Sequence, residues 1–267
     1  MKHELTSKAY LQRLINEGEH QQQDFKYRVE DAEKLARSVS AFANTDGGRL
    51  LIGVRDDGFI SGVRSEEEIY VMHQAAYRYC RPEASIKFDT YHVPVDNPMT
   101  GKCFMRTVVI ATIPPAVRKP VCALEKAPLS APAKVPLSAP AKAPLSSPEG
   151  DTIDKATNKI VKAGLTVGTL RSRAYIRIKD ENIVASPVHL AIWREEQAPQ
   201  PPAFSFGDDE HRLIAALQQA PWLRLNPLVR RSQLPRQKVI ALLARLCRYG
   251  LARWRLNDHQ FEFGLEE

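Results

Sequence analysis

The sequence predicts a mixed α/β (α+β) domain followed by a small, basic, helix-rich module that closes with a hairpin. Three observations predict this arrangement. Residues 31–62 read as helix, turn, apolar strand, tight turn and returning strand within one short segment. From Asp208 onward apolar residues recur at helical spacing and then switch to strict alternation. Between these regions lie proline-dense stretches that suit neither helix interiors nor sheet ladders.

Bulk properties bound the function. A chain of 267 residues is long enough for two compact domains. No uninterrupted apolar span reaches the length of a membrane helix. Met1-Lys2-His3-Glu4 leads into a polar amphipathic helix, not an apolar signal core, so a cytoplasmic location without membrane attachment is expected. Cys80, Cys103, Cys122 and Cys247 are scattered without paired spacing, which predicts reduced, buried thiols over a zinc site or disulfide framework. The formal charge of +7 permits attraction to polyanions, and the placement of that charge decides its meaning.

The elements follow in order. Leu5 to Ile15 form an amphipathic helix with Leu11, Leu14 and Ile15 as its core stripe, ended by Gly18. Gln22 to Arg28 alternate as a strand, with Gln22, Asp24 and Lys26 on one face and Gln23, Phe25 and Tyr27 on the other. A helix over Asp31 to Asn44 places Leu35, Val39, Phe42 and Ala43 on one side. Asn44 and Gly47-Gly48 supply residues that tolerate positive φ, a common way to stop a helix. Leu50 to Val54 is an apolar run expected of a strand covered on both faces, and Asp57-Gly58 favours a tight hairpin with Phe59-Ile60 returning. Glu66-Glu67-Glu68 opens a helix that runs to about Tyr79 and stops ahead of Pro82; Tyr70, Tyr77 and Tyr79 on it are read as core and rim. Ile86 to Val93 and Phe104 to Ile113 are strands joined by a turn around Asp96 to Lys102.

An octapeptide then repeats three times from Lys126, Lys134 and Lys142, each copy carrying Pro-Leu-Ser. Its proline density and scant apolar bulk predict an extended insertion at about 124–150. Strands resume over Gly164 to Leu170 and Ala174 to Ile178, and a helix over Val188 to Arg194 ends the domain. The expected division is therefore residues 1–196, a proline-rich linker over 197–206, and a second domain over 207–267.

In that second domain Leu213, Ile214 and Leu217 mark one helix, Leu225 to Arg231 a short second, and Pro235 to Tyr249 a third capped by Gly250. Leu251 to Phe263 alternates as a hairpin with a turn near Asn257-Asp258. Three helices and a hairpin resemble a winged helix-turn-helix, whose third helix enters the DNA major groove. Nine basic residues and no acidic one lie between Arg224 and Arg255. Clustering of one sign suits phosphate neutralisation. Arg236, Gln237 and Lys238 open the third helix, where base edges come within reach; Arg230, Arg231, Arg245, Arg248, Arg253 and Arg255 complete the expected nucleic-acid contact set. The other reading of the cluster is a dimerisation module with solvated arginines.

Several motifs in the first domain occur together. Gly18-Glu19, Asp24-Phe25-Lys26, Ala41-Phe42-Ala43-Asn44-Thr45 with Gly47-Gly48, Ile52-Gly53-Val54, Asp56-Asp57-Gly58, Gly62 and Tyr175-Ile176-Arg177-Ile178 with Asn182 stand in this order. They resemble the Schlafen AlbA-type domain, a bacterial family described as DNA- or RNA-binding. In nuclease members three carboxylates at matching positions coordinate a divalent metal. The resemblance thus implies that Glu19, Asp24 and Asp56 would hold Mg²⁺ or Mn²⁺ for RNA cleavage, with Lys26 on the scissile phosphate. This chain departs from that pattern: Asp24 replaces the usual glutamate, the zinc-binding cysteines and histidine are missing, and a two-copy groove would need a homodimer. The plainer reading pairs Asp24 with Lys26 or an arginine and leaves Asp56 capping its turn. No Gly-x-x-x-x-Gly-Lys-Ser/Thr loop exists, so no ATP site is expected. Three roles stay open: a DNA-binding regulatory or accessory factor, a metal-dependent endoribonuclease, and a protein–protein adaptor that meets an acidic partner.

Overall fold

The computed structural model describes residues 2–96, 101–126, 170–198 and 206–266. In chain order α1 (Lys2–Glu17), β1 (Gln23–Lys26), α2 (Ala32–Asn44), β2 (Gly48–Ile52), α3 (Ser65–Tyr79), β3 (Cys80–Arg81), β4 (Lys87–Asp96), β5 (Cys103–Ile113) and β6 (Cys122–Lys126) come first. They are followed by β7 (Leu170–Ile178), β8 (Glu181–Val184), α4 (Pro187–Gln197), α5 (Asp208–Gln218), β9 (Leu223–Arg224), α6 (Leu225–Ser232), α7 (Arg236–Arg248), β10 (Ala252–Asn257) and β11 (Gln260–Leu265). Most of the strand expected over 164–170, nearly all of the octapeptide insertion and most of the linker lie outside the described residues. Leu124 to Lys126, assigned above to the insertion, are instead the end of β6, paired with Leu170 to Ser172.

Two four-stranded sheets, β1-β2-β5-β4 and β3-β6-β7-β8, enclose α2 and α3 between them. Alternation along each strand sets the layers. Leu50 and Ile52 of β2 face α2, while Leu51 faces α1 with Leu11, Leu14 and Phe25. In β5, Val109, Ala111 and Ile113 point inward and Val108 and Ile110 point toward α1. On β7, Tyr175 faces α2, whereas Ala174 and Ile176 pack with Trp193 of α4. The resulting order is helix, sheet, helices, sheet, helix.

The helix α2 binds both sheets, through different chemistry. Its apolar side fills the first sheet. Its polar residues grip the second just where the β6–β7 ladder ends at Cys122 and Ala174. Asn44 Nδ2 donates to the carbonyls of Val121 (2.7 Å) and Tyr175 (2.9 Å), and its Oδ1 accepts from Val121 N–H at 2.7 Å. Ser40 Oγ donates to Val121 O and accepts from Tyr175 N–H. Buried backbone groups that have run out of strand partners are thereby satisfied.

This overturns one expectation. Asn44 is helical and buried, not a positive-φ stop; Gly47 alone of the three takes positive φ, at 73°. Gly48 is required for space, because a Cβ there would lie 2.2 Å from the Phe42 ring. Other corrections are smaller. Tyr70 and Tyr77 are exposed, not core. Among the cysteines only Cys80 is fully buried, its thiol pushed up to about 12 by desolvation, and Cys103 is exposed. The short strands β3, β6, β8 and β9 were not expected. Asp258 and His259, both at positive φ, make the β10–β11 turn one residue later than expected.

The second module holds α5, α6 and α7 against the sheet β10-β11-β9, with Phe263, Leu213 and Leu243 at its centre. The helix α4 enters this core: fully buried Val188 packs with the α5 and α7 leucines. Arg248 of α7 donates to the carbonyls of Glu195 and Ala198. His189 lies buried among Trp193, Trp254 and Phe261, with Ser186 Oγ 2.7 Å from its Nδ1.

Two outcomes are expected. Asn44→Ala strands backbone groups of β6 and β7 at once, and should lower stability by about 3 kcal/mol in urea denaturation. Desolvation lowers the His189 pKa from 6.5 to about 4, so the neutral ring favours the fold. That stability is complete above pH 6.5 and should fall by on the order of 3 kcal/mol as pH drops to 4. A His189→Phe variant should flatten this part of the pH profile, read from urea midpoints.

Candidate nucleic-acid interface

The carboxylate group comes first. Strand β1 pairs parallel with β2, placing Asp24 opposite Leu50 and its side chain toward α2. There its oxygens meet two cations, Lys26 Nζ at 2.6 Å and Arg177 Nη2 at 3.2 Å. The Arg177 side chain is 1% exposed, lies over the Phe42 ring at 5.0 Å and donates to Asn182 Oδ1. Glu19 accepts from Phe25 N–H at 2.8 Å. Desolvation raises the Glu19 pKa; the Phe25 N–H works against this, and the Asp24 carboxyl beside it adds to the rise.

Glu19 and Asp24 are therefore neighbours, but Asp56 is not the third member. It sits exposed at the turn after β2, in a shallow hollow with Tyr27, Arg55 and Asp57. Asp57, not Asp56, accepts from Phe59 N–H to fix that turn. Among the described residues no three His, Cys, Asp or Glu side chains assemble in a way that could hold a metal ion. The donor set implied for Mg²⁺ or Mn²⁺ does not fit: Asp24 is engaged by Lys26 and Arg177, and Lys26 is likewise turned onto Asp24 and the Phe25 carbonyl.

The basic residues of the second module also look different once folded. Acids from outside the 224–255 window meet most of them. Asp209 pairs with Lys238 and Glu210 with Arg245 (3.3 Å), both from the first turn of α5. Glu195 meets Arg248, Glu266 meets Arg253, and Glu262 is shared by Arg224 and Arg255. Arg253 and Arg255 also lie over the Trp222 ring, at 5.2 and 4.3 Å. Arg248 is thus a seam residue tied to α4. Arg230, Arg231 and Arg236 meet no carboxylate among the described residues; Arg236 donates to Asn226 Oδ1. These three arginines and exposed Gln237 cluster at the end of α6 and the start of α7.

With this geometry in place, comparison with known proteins is informative for the first domain. Residues 19–134 match the family model described as Schlafen, AlbA_2. This part of the chain is similar to the Schlafen AlbA_2 family. The match spans β1 to β6 and reaches into the octapeptide region. No curated protein matches the chain. A crystal structure of the DIP2311 protein from Corynebacterium diphtheriae aligns with 90% of this chain at 15% identity and a TM-score of 0.37; the aligned region spans 34% of that chain. Among the described residues no helix is long and apolar enough to cross a membrane.

The motifs that resemble the Schlafen AlbA_2 family acquire structural reasons. Ala41-Phe42-Ala43-Asn44-Thr45 is the end of α2 that grips the second sheet, with Thr45 Oγ1 accepting from Arg177 N–H at 2.9 Å. Arg177 itself is the residue that reading by sequence left without a role. Its signal was present: an arginine set among the apolar residues Ala174, Tyr175, Ile176 and Ile178 needs a buried counter-charge. Asp24→Asn should leave that guanidinium unpaired and cost about 3 kcal/mol, whereas Asp24→Leu with Arg177→Met should be the milder change. Chemical denaturation of both variants checks this.

Proposed function

We propose that the chain is a nucleic-acid-binding regulatory or accessory protein directed at DNA, whose C-terminal module works as a winged helix-turn-helix. The carrying observation is the patch formed by Arg230, Arg231 and Arg236. Among the described residues it meets no carboxylate at the turn between α6 and α7, while acids of α4, α5, β11 and the C-terminal end meet the other cations. In a helix-turn-helix the start of the second helix faces base edges and flanking cations hold phosphates. Here Gln237 takes the first role and Arg231 the second. The β10–β11 hairpin stands where a wing would, but its arginines are neutralised and stacked on Trp222, so the wing contributes little charge. The similarity to the Schlafen AlbA_2 family supports the same partner class, and the carboxylate geometry gives no separate support to cleavage.

Arg231→Ala with Gln237→Ala should weaken duplex DNA binding about tenfold and make the salt dependence shallower by about one unit of log–log slope. Arg253→Ala should change both far less. Fluorescence anisotropy across a salt series reads both quantities, and equal effects from the two variants would favour an acidic protein partner in place of DNA.

A further inference from the structure

A cleft of about 580 Å³ opens where the two modules meet. Ser186 and Pro187 at the start of α4 form one wall, the first turn of α6 a second, and His259 to Phe261 at the start of β11 a third. Arg224, Arg230 and Arg236 line it, and among the described residues no aspartate or glutamate does. Arg224 shares Glu262 with Arg255, but Arg230 and Arg236 bring positive charge that no carboxylate among the described residues offsets. Guanidinium groups converging on a concave space suit a phosphate, which they bind through paired N–H donors. The first turn of α6 adds its positive end and has no side-chain cap.

The rest of the lining is not needed for a bare ion. Pro187, Leu225, Phe261 and Phe263 supply apolar and aromatic surface beside the arginines, and Asn226 and Gln260 supply neutral hydrogen-bonding groups. The volume falls within the range of small-ligand sites. The larger cleft, about 790 Å³, sets Arg28, Arg64 and Arg106 against Glu30, Glu67 and Glu68 and so selects no charge.

We infer that this seam cleft binds a phosphorylated nucleoside, its phosphate held by Arg224, Arg230 and Arg236 and its base or sugar against Phe261 and Pro187. The ligand is either a free mononucleotide or the 5′-phosphorylated end of an oligonucleotide; only the second source rests on the nucleic-acid reading above. The full chain is titrated with each of four ribonucleoside 5′-monophosphates, and separately with a single-stranded oligonucleotide bearing a 5′-phosphate or a 5′-hydroxyl. Binding of a mononucleotide, or a preference of about tenfold or more for the phosphorylated end, is expected. That binding or preference should be lost in Arg224→Gln/Arg230→Gln. Arg230→Glu, at an exposed site that leaves the Glu262 pairs untouched, should lose it too while keeping the wild-type melting temperature.

Absence of both mononucleotide binding and the end preference overturns the inference, as does binding that survives these substitutions. A duplex without terminal phosphates separates the two claims. Failure to bind it while a mononucleotide still binds removes the DNA reading and leaves the cleft standing.

Discussion

The first domain depends on the carboxamide of Asn44. An extended strand that has lost its neighbour presents a carbonyl and an N–H side by side, and asparagine offers both complements on one flat end. Aspartate lacks the donor and leucine lacks both. By closing on Val121 and Tyr175, Asn44 sets the angle at which α2 meets the second sheet. Thr45, one residue on, receives the Arg177 N–H, and Arg177 then arrives beside Asp24 on β1. A single helix end thus sets the distance between two sheets and places a buried ion pair across them.

Electrostatics in the second module follows from topology more than from sequence density. A run of basic residues without acids along the chain becomes a mixed surface in space, because α5 and β11 deliver their carboxylates to it. The acids in the first turn of α5 act twice: they complement the helix dipole, and two of them meet cations of α7. Among the described residues, what escapes neutralisation is a short stretch at the α6–α7 turn. Such a concentrated residue of charge gives orientation to a polyanion that a diffuse basic surface would attract without register.

Long elements were legible because periodicity survives in one dimension. The core faces of α1, α2 and α7, the doubly covered β2, and the closing hairpin all show in the spacing of apolar residues. Two-residue strands such as β3 and β9 were not legible, since nothing local separates them from loop. Asn44 was misread because its residue type is common at helix ends, and only the position of β6 and β7 shows that it faces inward. The carboxylate trio failed for a similar reason: Glu19 and Asp24 are close along the chain, but where Asp56 ends depends on the turn that follows β2. The pairing of α7 with acids far along the chain, and the entry of α4 into the second core, are products of three-dimensional packing.

The placement of α4 has a thermodynamic consequence. One side of this helix, through Trp193, completes the second sheet, and the other, through Val188, completes the leucine core of the final module. Melting either core strips apolar cover from the other, so the stabilities of the two are coupled. A ligand captured by the last sixty residues would therefore protect the amides of distant β7 from hydrogen exchange, with no contact between them.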